Sequence, residues 1–128
     1  DRVAGGHCKN LFCKDEKGML WLIVALHDAV INLKAAPAKI NSKRLTFGKP
    51  ELLMEVLGVE PGSVTPFGLI NDTTARVNVI LDEAMMKLPH LNFHPLKNDA
   101  STTISAADLL TFISSCGHSP RVVAVSDA

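Results

Sequence analysis

The chain has 128 residues, and its 13 basic side chains are balanced by 13 acidic ones. That length suits one domain with a core that needs neither disulfide nor metal, and the charge balance argues against a non-specific polyanion binder, although a local basic patch can still meet a phosphate. Cys8, Cys13 and Cys116 are an odd set without framework spacing, which fits reduced thiols and a cytoplasmic protein.

Residues 10–13 and 19–25 predict two strands joined by the polar turn Lys14-Asp15-Glu16-Lys17-Gly18. Residues 20–26 lack polar alternation, so they read as a central strand covered on both faces. That run is far below the roughly 20 residues of a membrane span, and no signal peptide is read. Residues 28–33 suggest a further strand, and 34–40 a short helix whose middle is disturbed by Pro37. Residues 44–47 form a short β-like run. From Lys49 to Gly58 the signals are those of a helix: Pro50 in the first turn, Glu51 beside it, and glycine after the last apolar residue.

Gly58-Val59-Glu60-Pro61-Gly62-Ser63-Val64-Thr65-Pro66-Phe67-Gly68 follows as a stiff loop with accessible backbone amides. A plain Pro-Gly turn between a helix and a strand fits the same pattern. Residues 67–70 are apolar, and Asn71-Asp72-Thr73-Thr74 is turn chemistry. Residues 76–81 predict a strand and 82–87 a short helical segment. Residues 88–96 alternate between two prolines, which suggests an edge strand. Residues 99–104 form a Thr-rich β run. Ser105-Ala106-Ala107-Asp108 has the form of a capping box before the helix at 109–113, with Gly117 as its stop, and 121–125 give a last strand. No repeat, low-complexity segment or charge block divides the chain. The pattern predicts an α+β fold of mixed layers, with a mixed, largely antiparallel sheet of six to eight strands flanked by short helices.

The chemistry-bearing residues are few. His90 and His94 are four apart, but the neighbouring prolines argue against the helix that would bring them onto one ion, and His7, Cys8 and Cys13 match no ligand pattern, so no metal is expected. Cys8, beside Lys9 and His7, is the one candidate thiol nucleophile. Neither a nucleophile elbow nor a phosphate-binding or dinucleotide fingerprint is present. Lys9, Asn10, the glycine loop and His94 remain. Each taken alone also fits a plainer role as a strand-end charge, a turn residue or an edge histidine.

Three separated stretches, His7-Cys8-Lys9-Asn10-Leu11-Phe12, Gly62-Ser63-Val64-Thr65-Pro66-Phe67 with Leu69-Ile70-Asn71-Asp72, and Asn92-Phe93-His94-Pro95-Leu96 with Asn98 and Thr102-Thr103, together resemble the YbaK/ProX family. The resemblance is strongest to its free-standing prolyl-tRNA synthetase associated domain proteins, and it covers almost the whole chain. Cys8 stands where Thr or Ser is more usual. Family members also carry a helix and strand ahead of the Lys-Asn motif, so the expectation is one editing domain over residues 1–128 without that segment.

The resemblance implies hydrolysis of a wrong amino acid from the 3′ end of tRNA, with alanine on proline tRNA as the expected error and no cofactor. A pocket sized for proline rejects a smaller residue weakly, because each methylene is worth only about 1–3 kcal/mol, and a second sieve is then needed. The family pattern makes Lys9, Asn10 and Gly62 the catalytic group. Lys9 would meet the terminal phosphate or the developing negative charge, and Asn10 the terminal nucleotide or aminoacyl group. Ser63, Val64, Thr65, Pro66 and Phe67 would surround the ester, and His94 would size the pocket. No carboxylate accompanies Lys9 and Asn10, which favours the substrate's own ribose hydroxyl as the group that activates water. The expected partners are the acceptor end of mischarged tRNA and prolyl-tRNA synthetase, with a monomer as the default. Two alternatives stand beside this: the same fold acting on tRNA mischarged with Cys, Ser or Thr, and a non-catalytic tRNA- or synthetase-binding module.

Overall fold

The computed structural model describes residues 6–60, 64–93 and 102–126. Strands β1 (Gly6–Asp15) and β2 (Leu20–Leu26) form the expected antiparallel hairpin, with Cys8 opposite Leu26 and Lys14 opposite Leu20. The Asp15 carboxylate ties its turn by accepting from the Lys17 amide at 2.9 Å, the Met19 amide at 3.0 Å and Trp21 Nε1 at 3.1 Å. Burial alone would push the Asp15 carboxyl up. The bonds from Trp21 and from the Met19, Lys17 and Lys43 amides outweigh it and hold the carboxyl below its ordinary value.

β2 is the centre of the molecule. Its Leu20, Leu22 and Val24 enter one core and Trp21 and Ile23 the other, the period-2 signature of a strand covered on both faces. Strand β4 (Val77–Asp82) runs parallel to β2, and β7 (Arg121–Val123) runs parallel to β4. On the other side of β1, β3 (Leu45–Phe47) pairs antiparallel with its end, and β5 (His90–Phe93) pairs parallel with its beginning; β6 (Thr102–Ser105) completes the sheet against β5. The order is β6-β5-β1-β2-β4-β7, with β3 joined to β1. The sheet is mixed, with three antiparallel and three parallel pairings.

Helices α2 (Pro50–Leu57), α3 (Glu83–Met86) and α4 (Ala106–Ser115), with a 3-10 helix at Pro66–Asn71, close the larger core through Leu53, Leu57, Leu69, Met85, Leu109 and Ile113. Full burial of side chains of this size contributes about 1.5–3 kcal/mol each. The helix signals act where the sequence places them. Gly58 ends α2 at φ 69°, and Ser105 Oγ accepts from the Asp108 amide at 3.0 Å. Helix α1 (Ala36–Ile40) covers the opposite face with Ala36 and Ile40.

Three expectations are corrected. Residues 28–33 are not a strand, since Asn32 instead starts a turn by accepting from the Lys34 amide through its side chain and from the Ala35 and Ala36 amides through its carbonyl. Pro37 lies in the first turn of α1, where no amide donor is needed, so it begins the helix rather than disturbing it. β5 is an interior strand between β1 and β6, with Leu91, Asn92 and Phe93 buried; the prolines that suggested an edge fall outside its four residues. The apolar stretch at 67–70, to which no element was assigned, lies in the 3-10 helix, where Thr65 caps it and Pro66 presets its first turn.

Candidate active site

Alternation along β1 sends neighbouring side chains to opposite faces. Cys8 and Phe12 pack with the larger core, and Leu11 and Cys13 with the smaller one, so Asn10 faces the α2 side and Lys9 the α1 side. Asn10 Nδ2 donates to the Val64 carbonyl at 3.0 Å, across 54 positions of sequence. This bond joins the Lys-Asn strand to the glycine loop. The carbonyl acceptor fixes the amide's orientation, leaving Asn10 Oδ1 buried and without a hydrogen-bond partner. Lys9 Nζ donates to the Ala29 carbonyl, just beyond the end of β2.

The two side chains still flank one opening. β5 pairs with β1 only at Gly6 and His7, and β3 only from Cys13 to Asp15. Among the described residues, positions 8–12 of β1 have no strand partner on that side. The Gly48 amide reaches the Phe12 carbonyl at 2.9 Å and closes one end of the gap. Backbone groups of β1 near Lys9 and Asn10 therefore border a break in the sheet.

The loop's downstream half is firmly held. Thr65 Oγ1 accepts from the Phe67 amide at 3.4 Å. Phe67 packs edge-on against Phe93 of β5 at 5.7 Å and Phe112 of α4 at 5.2 Å, and Pro66 is buried. Pro66 and Phe67 thus anchor the loop, whereas the half-buried Val64 and Thr65 stand nearer the opening. Gly68 is wedged against α2, where an added Cβ would lie 3.3 Å from the Leu57 carbonyl oxygen. Asn71 Nδ2 donates to that same carbonyl at 2.8 Å. Gly62, Ser63 and His94 lie outside the described residues.

Asp72 leaves the 3-10 helix and accepts from the Arg76 amide at 3.0 Å, the Val77 amide at 2.8 Å and His118 Nε2 at 2.9 Å. Its burial would raise the carboxyl's pKa. The His118 bond, the two amides and the His118 charge outweigh that and lower it. Sequence reasoning took Asp72 as a turn residue and gave His118 no role, since nothing local couples positions 46 apart. It also missed how Asn92 clamps the start of β1: Nδ2 donates to the Gly6 carbonyl at 3.4 Å, and Oδ1 accepts from Thr103 Oγ1 at 2.6 Å.

Cys8 does not suit nucleophilic chemistry. Burial pushes its thiol up to about 11, only partly countered by a hydrogen bond from the Asn92 backbone, so hardly any thiolate exists near neutrality. Cys13, a second member of the weighed metal trio, is buried in the opposite core. Among the described residues no three His, Cys, Asp or Glu side chains come together as a metal site, and no helix is long and apolar enough to cross a membrane.

The profile of the aminoacyl-tRNA editing domain matches residues 4–112, and the chain belongs to that family. It is 38% identical over 126 residues to the Bos taurus prolyl-tRNA synthetase associated domain-containing protein 1, covering 94% of this chain and 73% of that protein. It is 35% identical over 116 residues to the prolyl-tRNA editing protein ProX of Acetoanaerobium sticklandii, covering 90% of this chain and 71% of that one. A crystal structure described as a candidate trans-editing enzyme for prolyl tRNA synthetase superposes with a TM-score of 0.72 at 21% identity, over 98% of this chain and 73% of the other.

Proposed function

We propose that this chain is a trans-editing hydrolase that deacylates mischarged tRNA, with alanyl-tRNA for proline as its preferred substrate. The observation that carries the reading is the bond from Asn10 to the Val64 carbonyl, which holds the Lys-Asn strand against the glycine loop and leaves Asn10 Oδ1 as a buried acceptor. An acceptor of that kind suits the α-ammonium of an aminoacyl ester or the hydroxyl of the terminal ribose. The reaction is addition of water to the ester carbonyl, followed by departure of the ribose 3′ oxygen, yielding free amino acid and tRNA.

An aminoacyl ester is already activated, so positioning and oxyanion stabilisation suffice. In this reading the backbone amides of the Gly62–Pro66 loop face the developing oxyanion, and Lys9 releases Ala29 to meet the terminal phosphate as a compact charge. Gly62 gives the ester room to approach, Ser63, Val64 and Thr65 line it, and His94 limits the pocket. Phe67 acts through Phe93 and Phe112 as a support for the loop. The buried carboxylates Asp15, Asp72 and Asp82 are all engaged in hydrogen bonds, which supports the ribose hydroxyl as the group that activates water.

Single-turnover deacylation of alanyl-tRNA and prolyl-tRNA for proline, with wild type, Lys9→Ala and Asn10→Ala, tests the proposal. Wild type should release alanine only, and each substitution should slow release by about 10²–10³-fold, the usual cost of removing one positioned polar group. Release of Cys, Ser or Thr in preference to Ala would move the substrate within the class. No release from any of these tRNAs would leave a binding module as the better account.

A further inference from the structure

The molecule has zero formal net charge, yet its charges are segregated. Between Asp28 and Glu51 the chain carries Lys34, Lys39, Lys43, Arg44 and Lys49 and no acidic residue. These cations are spread through the turn before α1, α1 itself and the loops around β3, so they form no block in the sequence. The fold brings Lys34 and Arg44 to one cavity and Lys43 to another. We infer that this face, from the α1 turn to the loop after β3, is the surface along which the sugar-phosphate backbone of an RNA lies as its 3′ end enters the break beside β1. The inference rests on the editing reading for the identity of the RNA.

Three observations place the surface. Lys34, Lys43, Arg44 and Lys49 are exposed, and among the described residues none of their side chains is held in an ion pair. Lys34 and Arg44 line one cavity of about 620 Å³ together with Leu33, Pro37 and Leu45. Beyond it, Lys43 shares a second cavity of about 430 Å³ with Lys17 and Arg121. The acid in that second cavity, Asp15, is buried and spent on Trp21 and the backbone amides of Met19, Lys17 and Lys43. The exposed acids beside this face are Glu16, whose amide bonds to the Arg44 carbonyl, Asp28 and Glu51 at the ends of the segment, and Glu55, which lines a cavity with Lys49 and Glu51.

The surface is also continuous with the candidate site at both ends. The segment starts just beyond β2 at Ala29, whose carbonyl holds Lys9, and returns to β1 at Gly48, whose amide bonds to the Phe12 carbonyl. Lys9 points to the same face of the sheet that α1 covers. A polyanion lying on Lys34, Lys43 and Arg44 therefore leads toward Lys9 rather than away from it. Lys39 contributes less, because its ammonium is turned back onto the Val125 carbonyl at 3.3 Å.

The test is binding of uncharged proline tRNA by fluorescence anisotropy across a salt series, with the triple variant Lys34→Glu/Lys43→Glu/Arg44→Glu, the milder Lys34→Gln/Lys43→Gln/Arg44→Gln, and Lys87→Glu as an exposed cation elsewhere. Each phosphate neutralised adds about 0.7–0.9 to the slope of log affinity against log salt, so wild type should show a slope of roughly −3 and both triple variants a slope smaller by about two or more. The Glu triple should lose at least about 10-fold in affinity at 0.1 M salt, with Lys87→Glu unchanged. The Gln triple keeps the result readable if charge reversal unfolds the protein. Unchanged slope in the folded Gln triple, or binding of phosphatidylserine vesicles with no binding of tRNA, would overturn the surface. Deacylation is read separately: tRNA binding that follows the triple variants without any hydrolysis would sink the editing reading and leave the surface standing.

Discussion

Replacing Asp72 by Asn removes a charge and almost no volume, so its cost reports the hydrogen bonds alone. The carboxylate takes the Val77 amide at 2.8 Å and His118 Nε2 at 2.9 Å on one oxygen and the Arg76 amide at 3.0 Å on the other. Asn keeps one acceptor oxygen, which can serve the Arg76 amide. Its amide nitrogen then confronts two donors, both in a region where the Asp72 and His118 side chains are each 1% exposed. An unsatisfied buried donor costs about 1–3 kcal/mol, and breaking a buried pair about 3–5 kcal/mol, so a loss near 3 kcal/mol is expected at pH 7. With an unfolding entropy of about 2.1 cal/mol/K per residue over a chain of 128, that is a fall in Tm of about 10 °C. The pH dependence has a definite sign. Asp72's carboxyl is lowered in the folded state, so its stabilisation is complete above the unfolded value of about 3.9 and is lost as pH falls through the folded value. Thermal unfolding by circular dichroism should show a gap between wild type and Asp72→Asn that is constant from pH 7 to 5 and narrows in acid. A fall below 2 °C at pH 7 would refute the reasoning, because it would mean that the pair contributes nothing beyond what an amide supplies.

The Cys8 thiol, pushed up to about 11, should be alkylated at pH 8 at least about 100-fold more slowly than a free cysteine, read by mass spectrometry of the peptide that carries it; a rate like that of the free amino acid would show that its burial is not maintained. Asp15→Asn should destabilise the protein by about 1–3 kcal/mol, because the amide nitrogen would face Trp21 Nε1, and the emission of this sole tryptophan should shift at the same time; wild type should lose that same stability only in acid, as pH falls through the lowered Asp15 value.

What the sequence disclosed and what it hid divide along the range of the interactions. The hairpin, the two-faced strand β2, the helix that starts at Pro50 and stops at Gly58, and the Ser105 cap were all legible, because each is decided by residues within one turn or one pleat. The strand expected at 28–33 failed because Asn32's local bonds outcompete a weak β pattern. β5 was placed at an edge because prolines flank it, yet it pairs with β1 through Gly6 and His7 and with β6 on its other side, contacts that no local pattern announces. No pattern of one residue and its near neighbours encodes the Asn10–Val64 bond or the Asp72–His118 pair. The candidate site rests on its motif residues, and the Asp72–His118 pair has no local motif to announce it.

The motif's adjacency poses a geometric question, because Lys9 and Asn10 are consecutive in a strand and must point to opposite faces. Two groups so arranged can serve one substrate only where the strand has a free edge. β1 has such an edge because its two neighbours on that side approach from different ends, β5 over Gly6 and His7 and β3 over Cys13 to Asp15, and meet it in opposite directions. Among the described residues, positions 8–12 of β1 between those two pairings have no strand partner on that side. In the proposed reading the mixed sheet is therefore a condition of the candidate site. A ribose at that edge would have Asn10 and the glycine loop on one side and Lys9 with the basic face on the other. The chain's order then follows from the same geometry: the segment joining β2 to β3 must cross the Lys9 face to reach β1 again, and it is there that the chain carries five cations and no acid.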